Sequence, residues 1–265
     1  MFNIVFAALA VVLLVIWERR ERRRGAVRDL FCPWGLLDVL LALAALIVLL
    51  GIAGTTAKAL LPDESHPWRG AAATGIAGVV TCVFLLYHLR RRYGLLPRDV
   101  GLRFDTWGRD ALLAGGLVLL VIAVESALAP VFVHLYEAEG EPVRLQHLVT
   151  QMQAGQSPTV LIVLIAFAVL VAPFWEEFLF RGVLQPFLGR HVGATLSILI
   201  PGVLFALIHY EEGSRFFREP ILVFPLALAL GYAYHRTQRL AAPLMLHMLH
   251  NSVTVLAVLA ERPAG

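Results

Sequence analysis

The twenty residues from Trp34 to Ala53 read WGLLDVLLALAALIVLLGIA and carry a single charged side chain. A helix rises about 1.5 Å per residue, so a run of this length crosses the roughly 30 Å of hydrocarbon in a bilayer. Seven more apolar runs are separated from it and from one another by polar connections. They cover residues 2–17, 70–87, 111–133, 158–180, 192–210, 221–235 and 241–260. The sequence therefore predicts an all-α, polytopic integral membrane protein with about eight transmembrane helices.

The composition of the whole chain agrees with a membrane protein. Its 265 residues are 59% hydrophobic and 15% charged, with a mean hydropathy of +0.76. So few charges would leave a soluble chain with large exposed apolar patches, which excludes a soluble enzyme, a disordered chain and a disulfide scaffold. We expect one integral membrane domain, in which residues 1–133 form helices 1–4 with basic cytoplasmic loops and residues 134–265 form helices 5–8.

The basic residues are almost all arginine and lie mainly in alternate connections. With eight helices, sixteen of the 22 Lys and Arg residues fall on one side and six on the other. The positive-inside rule places the sixteen in the cytoplasm and both termini outside. These clusters indicate topology and contact with the lipid bilayer, not a nucleic-acid partner. We predict a multi-pass protein of a bacterial plasma membrane, with a surface helix within residues 90–110.

Ionisable side chains inside apolar runs are costly and therefore indicate function. The segment FWEEFLFRG contains Glu176, Glu177 and Arg181. Glu177 and Arg181 are four residues apart, so they lie one above the other on a helix and are predicted to form an ion pair. Glu176 points about 100° away around the same helix and is left free for chemistry. The alternative for both glutamates is an interfacial acidic pair near a helix end.

Later runs contain His209 in FALIHY, and His247 and Asn251 in LMLHMLHNS. His247 and Asn251 share a helix face, with an interhelical hydrogen bond as the alternative role. A turn near Gly189 would leave Glu176 and His209 different in depth by roughly 10 Å, which helix tilt can absorb. We therefore expect these groups to line one buried pocket suited to activating water for hydrolysis.

Two other polar side chains give less direct indications. His250 lies three residues after His247 and is expected to pack or to support the site. Glu125, in VIAVESALAP, is expected to be a hydrogen-bonded structural carboxylic acid, with a place on the substrate path as the alternative.

At these residues the sequence resembles the CAAX prenyl endopeptidase and bacteriocin-processing (CPBP) family of intramembrane proteases, also called the Abi family. Its pattern is EExxxR, then FxxxH, then HxxxN or HxxxD, on three different transmembrane helices. The motifs are matched in order by 176–181, 205–209 and 247–251. The resemblance covers about residues 160–255 and is closest to the type II CAAX prenyl endopeptidases.

The resemblance implies a peptidase in which Glu176 is the general base, next to the Glu177–Arg181 pair. It implies that His209 positions the water and stabilises the tetrahedral intermediate. The remaining motif residues would form an oxyanion site or hold a metal ion, since the family is described both as glutamate-type and as metal-dependent. The candidate ligands for a divalent metal such as zinc are Glu176, His209, His247 and Asn251. Asparagine is a poor zinc ligand, so the metal stays open.

We therefore predict an intramembrane endopeptidase that hydrolyses a peptide bond of a membrane-associated protein or peptide through a glutamate-activated water, reached from the cytoplasmic side. One alternative is a non-proteolytic scaffold or bacteriocin-immunity protein that keeps the pocket. Another is a proton-coupled transporter using Glu125 and Glu176, although the sequence shows no repeated pair of broken helices. The substrate stays open among a peptide pheromone, a bacteriocin leader and a membrane-anchored protein tail.

Overall fold

The computed structural model describes residues 31–61, 68–138, 147–153, 157–210 and 217–260, which form helices and no strand. The α-helices are α1 (Leu36–Leu60), α2 (Trp68–Tyr93), α3 (Trp107–Ala138), α4 (His147–Gln153), α5 (Pro158–Ala166), α6 (Ala172–Glu177), α7 (Gln185–Ile208), α8 (Arg218–Thr237) and α9 (Ala241–Ala260). Two π-helical turns, Phe167–Val171 and Phe178–Leu184, join α5, α6 and α7 into one stretch. The all-α prediction is confirmed for these residues.

Five helical stretches in the described ranges are long and apolar enough to cross a membrane. They are Leu36–Leu60, Trp68–Tyr93, Trp107–Ala138, Pro158–Ile208 and Ala241–Ala260. The predicted count of eight is not confirmed. The run 2–17 lies outside the described residues, the runs 158–180 and 192–210 share one stretch, and α8, which contains 221–235, is not among the five.

The outer surface of these helices is apolar. Leu37, Ile47 and Leu112 are each 68–79% exposed, and many other large aliphatic side chains face outward with them. Such a surface is unfavourable in water and suits lipid, while the helical backbone satisfies its own hydrogen bonds. The protein is therefore a multi-pass membrane protein.

The 51-residue stretch Pro158–Ile208 folds back on itself at Gly193, where φ is 81° and ψ is 174°. Residues other than glycine rarely adopt this backbone conformation. The rings of Phe180 and Phe205 have centroids 5.3 Å apart, whereas a straight helix would separate these residues by about 37 Å. The stretch is an antiparallel helix pair, and its turn lies at Gly193, not near Gly189 as the sequence suggested.

The antiparallel helices give the bundle two ends. We call the end with the α2–α3 connection, Gly193 and the α8–α9 turn the arginine-rich end, and the other the distal end. At the arginine-rich end the backbone N–H of Leu240 donates to the carbonyl oxygen of Gly101 at 2.7 Å. The α2–α3 connection contains a four-residue 3-10 turn, Pro97–Val100, in place of the predicted surface helix.

Helix α6 is positioned by close packing against α2 and the segment before α1. A Cβ atom added to Gly78 would overlap the ring of Trp175, so the indole rests directly on the α2 backbone. The indole N–H of Trp34 donates to the carbonyl of Val183 at 3.0 Å. These contacts fix the helix that carries the first motif.

Candidate active site

Glu177 and Arg181 form the predicted ion pair, with Nη1 donating to Oε1 at 3.0 Å and both side chains fully buried. Nδ1 of His247 lies 2.9 Å from the same Oε1, and Nη2 of Arg181 donates to the carbonyl of Ala227 at 3.1 Å. A buried charge is tolerated when it is paired and hydrogen-bonded in this way. Glu177 and Arg181 together thus connect their own helical stretch to α8 and α9, and Oε1 of Glu177 has no capacity left for catalysis.

The ring of Phe205 packs at the centre of these groups. Its centroid lies 4.6 Å from the guanidinium carbon of Arg181, 4.6 Å from the ring of His209 and 5.7 Å from the ring of His247. A buried guanidinium over an aromatic face is a favourable cation–π contact. Sequence reasoning quoted Phe205 in its motif without giving it a role, although its spacing of four residues from His209 was a usable signal.

Glu176 lies on the other face of α6 and is 7% exposed. Its Oε2 is 3.8 Å from Nε2 of His247, which is too long for a hydrogen bond. Within the described part of the chain, the carboxylate of Glu176 has no hydrogen bond, in contrast to that of Glu177. This is the geometry expected of a group kept free to react.

His209 directly follows the last residue of α7, and its Nδ1 lies 2.7 Å from the carbonyl oxygen of Phe205. A carbonyl only accepts, so Nδ1 carries a hydrogen and Nε2 of the neutral ring is an acceptor. Glu176 lies 17 residues before Gly193 and His209 lies 16 after it. The two arms of the helix pair therefore bring both groups to nearly equal depth, and the expected mismatch disappears.

The amide of Asn251 is fixed by an irregularity of the backbone. In the first π-helical turn, the N–H of Ala172 bonds to the carbonyl of Phe167. The next backbone nitrogen belongs to Pro173, which has no hydrogen to donate to the carbonyl of Ala168. Nδ2 of Asn251 donates to this carbonyl at 2.7 Å. A membrane helix would otherwise carry an unsatisfied acceptor here.

Glu125 and His250 form a second polar pair, with Oε2 and Nε2 2.8 Å apart. Nδ1 of His250 lies 3.3 Å from Oδ1 of Asn251. The structure places Glu125 beside the site, although the sequence indicated a structural role for it. Nothing in the local pattern relates α3 to α9, so sequence reasoning had no signal for this contact.

These groups surround one cavity of about 1190 Å³, a volume slightly above the usual range for ligand sites. Its polar lining includes Glu125, Glu176, His209, His247, His250 and Asn251. Glu177 and Arg181 lie behind this lining.

The remaining wall of the cavity comes from the distal end of the bundle, as shown by Lys58 near the end of α1, Arg69 at the start of α2 and Val258 near the end of α9. The arginine-rich end contributes none of the described lining residues. The predicted access from the cytoplasmic side, which rests on the positive-inside rule, stays a prediction.

The four side chains proposed as metal ligands, Glu176, His209, His247 and Asn251, all line the cavity. His209 and His247 each have one ring nitrogen bound to an oxygen and the other available, as metal-ligating histidines do. Among the described residues, however, no three His, Cys, Asp or Glu side chains are grouped closely enough to hold a metal. The divalent metal stays a prediction, and we derive no chemical step through it.

The fold and the cavity define the class: a multi-pass helical membrane protein with a buried glutamate and two histidines on separate helices, as the CAAX protease motifs require. Residues 158–253 match the family model described as type II CAAX prenyl endopeptidase Rce1-like. The resemblance of this segment to the CPBP family is thereby confirmed.

One curated relative is similar over part of its length. The membrane-embedded CAAX protease MroQ of Staphylococcus aureus (strain USA300) is 29% identical over 100 residues. The aligned region covers 36% of this chain and 38% of the relative. No solved structure matches the chain.

Proposed function

We propose that this protein is an intramembrane endopeptidase that hydrolyses a peptide bond of a membrane-associated protein or peptide. The observation that carries the proposal is the free carboxylate of Glu176 in a cavity that also contains two oriented histidines. A buried glutamate without a bound partner is suited to take a proton from water. The family match of residues 158–253 supports the same class of reaction.

The attacking water is held by two acceptors in this proposal. Glu176 accepts one hydrogen, and Nε2 of His209, whose Nδ1 is turned to the Phe205 carbonyl, accepts the other. The water oxygen then presents a lone pair to the substrate carbonyl carbon. As the new C–O bond forms, one proton passes to Glu176 and the carbonyl oxygen becomes an oxyanion.

Asn251 is the proposed donor to that oxyanion. One hydrogen of its Nδ2 is used by the Ala168 carbonyl, and the second remains for the substrate. Collapse of the intermediate breaks the C–N bond, and the carboxylic acid of Glu176 returns its proton to the leaving amine. His247 is held through Nδ1 on Glu177 and keeps its Nε2 toward Glu176.

The Glu125–His250 pair acts by positioning in this scheme. With a hydrogen on each ring nitrogen, His250 donates from Nε2 to Glu125 and from Nδ1 to Oδ1 of Asn251. The amide of Asn251 is then hydrogen-bonded at both Oδ1 and Nδ2, which fixes the direction in which the second Nδ2 hydrogen points. Glu125 lies outside the segment 158–253 that matches the family.

We propose that the substrate reaches the cavity from the distal end, since the described lining residues lie toward that end. A protein tail or peptide anchored in the membrane fits such an opening. A divalent metal remains a separate prediction from the motif set, and its test is the effect of a chelator on cleavage.

The test compares wild-type protein with Glu176→Gln in the membranes of an expressing bacterial host. New peptide N-termini are labelled chemically and identified by mass spectrometry. We expect termini that appear with the wild type and are absent with Glu176→Gln, and a cleavage rate about 10²–10⁴ times lower on the identified substrate. Glu219→Gln is the matched control, because Glu219 is also buried but does not line the cavity.

Identical sets of termini with the wild type and Glu176→Gln would refute Glu176 as the base. Identical sets with the wild type and an empty vector would favour the non-proteolytic scaffold. Loss of cleavage on adding EDTA, restored by zinc, would show that the site rearranges to hold a metal.

A further inference from the structure

A second cavity, of about 830 Å³, lies at the arginine-rich end between the α2–α3 connection and the α8–α9 turn. Its charged lining consists of five arginines and two aspartates, with one histidine. They are Arg98, Arg103, Arg109, Arg236, Arg239, Asp99, Asp110 and His235. With a neutral histidine the lining has an excess of three positive charges. A concave surface of this kind concentrates positive potential.

The walls of this cavity are held by defined contacts between distant parts of the chain. Arg239 Nη2 donates to Asp110 Oδ1 at 3.1 Å, and Thr106 Oγ1 donates to Asp110 Oδ2 at 3.1 Å. Gly101, with φ of 91°, accepts from Leu240, and a Cβ atom there would lie 3.2 Å from the Tyr234 ring. The backbone around the cavity and the buried Asp110 that pairs with Arg239 are therefore part of the fold.

The two aspartates neutralise little of the positive charge at the rim. Asp110 is buried in its pair with Arg239. Asp99 accepts from the backbone N–H of Leu96 at 2.8 Å, and its contact with Arg98 is 3.9 Å long. The rim pair of Arg103 with Asp105 is about half exposed, which makes it weak. Arginine charge thus remains for an external anion.

The cavity lies at the level where a membrane helix begins. Trp107 is the first residue of α3, and the side chains of Trp107, Phe104 and Phe31 are each more than half exposed. Exposed aromatic side chains at the ends of membrane helices lie at the headgroup region of a bilayer. We therefore expect the arginines of the cavity to lie at the level of the lipid phosphates.

We propose that this cavity binds a phosphate group, supplied by the headgroup of an anionic phospholipid. Guanidinium groups pair with phosphate oxygens through two parallel hydrogen bonds. Basic pockets between membrane helices on the cytoplasmic side bind such headgroups, and the volume is within the usual range for ligand sites. The inference is independent of the proposed peptidase activity.

The test measures binding by calorimetry, with the full chain in a neutral detergent. The probes are dihexanoyl phosphatidylglycerol, dihexanoyl phosphatidylcholine and inorganic phosphate. We expect saturable binding of the phosphatidylglycerol and none of the zwitterionic lipid. The double variant Arg103→Gln, Arg109→Gln should bind about thirtyfold more weakly, because each arginine near an anionic surface contributes about 1 kcal/mol.

The control variant is Arg90→Gln, Arg91→Gln, which removes the same charge from exposed positions of α2 that do not line the cavity. It should bind as the parent does. Equal affinity for inorganic phosphate and phosphatidylglycerol would keep the phosphate site but overturn the lipid as its source. Absence of saturable anion binding, or equal loss in both double variants, would overturn the proposal.

Discussion

Glu176 and Glu177 are adjacent in the sequence and lie in opposite environments. Glu177 contacts Arg181 and His247 within 3.0 Å and is fully buried. Glu176 faces a cavity, and His247 Nε2 is 3.8 Å away. Both carboxylates are inside the membrane, where a charge needs partners. One helix therefore carries a fixed structural carboxylate, Glu177, on one face and a reactive carboxylate, Glu176, on the other. The contacts made by each face produce this difference.

The strongest test of the supporting face is Arg181→Ala. It leaves Glu177 buried without its cation, so the free energy of unfolding should fall by about 3–5 kcal/mol, and activity should fall with it. The measurement is unfolding of the purified protein in mixed micelles. Arg103→Ala removes an exposed ion-paired arginine and should cost less than about 1 kcal/mol. Equal stability of the two variants would show that Glu177 is not held by its pair.

Gly78→Ala tests whether α6 must lie this close to α2. The added Cβ would meet the Trp175 ring, so we expect a destabilisation of about 1–3 kcal/mol and reduced cleavage without any change at Glu176 itself. Gly116→Ala is the matched control, because no atom lies within 4 Å of a Cβ built there. A more stable, fully active Gly78→Ala protein would mean that the contact does not position the site.

The smallest expected effect concerns Glu125, which lies on the cavity side of the site. Glu125→Gln weakens the contact that orients His250, and His250 in turn orients the amide of Asn251. We therefore expect kcat to fall about tenfold, while KM and the thermal stability stay unchanged. Glu125→Asp should restore part of the rate, whereas Glu137→Gln, an exposed site on the same helix, should have no effect.

Combining Glu125→Gln with Asn251→Ala sharpens this result. If Glu125 acts through Asn251, the second substitution makes the first one silent, and the effects are not additive. Additive losses would show that Glu125 acts on the substrate by another route. This outcome would not affect the assignment of Glu176 as the base.

The sequence predicted the parts of the site that depend on local geometry. The Glu177–Arg181 pair follows from a spacing of four residues on one helix, and the apolar runs locate most of the helices. The turn at Gly193 was misplaced because glycines at 189 and 193 are equivalent in a hydropathy pattern. Only the backbone angles and the pairing of Phe180 with Phe205 distinguish them.

Other features depend on contacts that no local pattern contains. The partners Glu125 and His250 are 125 residues apart. The two π-helical turns change the register of a helix by one residue without changing its composition. The position of the cavity toward the distal end follows from the packing of several helices, and the distribution of charges along the sequence does not contain this information.

The hydrogen bond between Asn251 and the carbonyl of Ala168 links completion of the site to the stability of the protein. Until α9 docks and Asn251 reaches that oxygen, the chain carries an unsatisfied acceptor within lipid. A copy with an incomplete site is therefore also a less stable copy, and less stable copies are removed by cellular proteases.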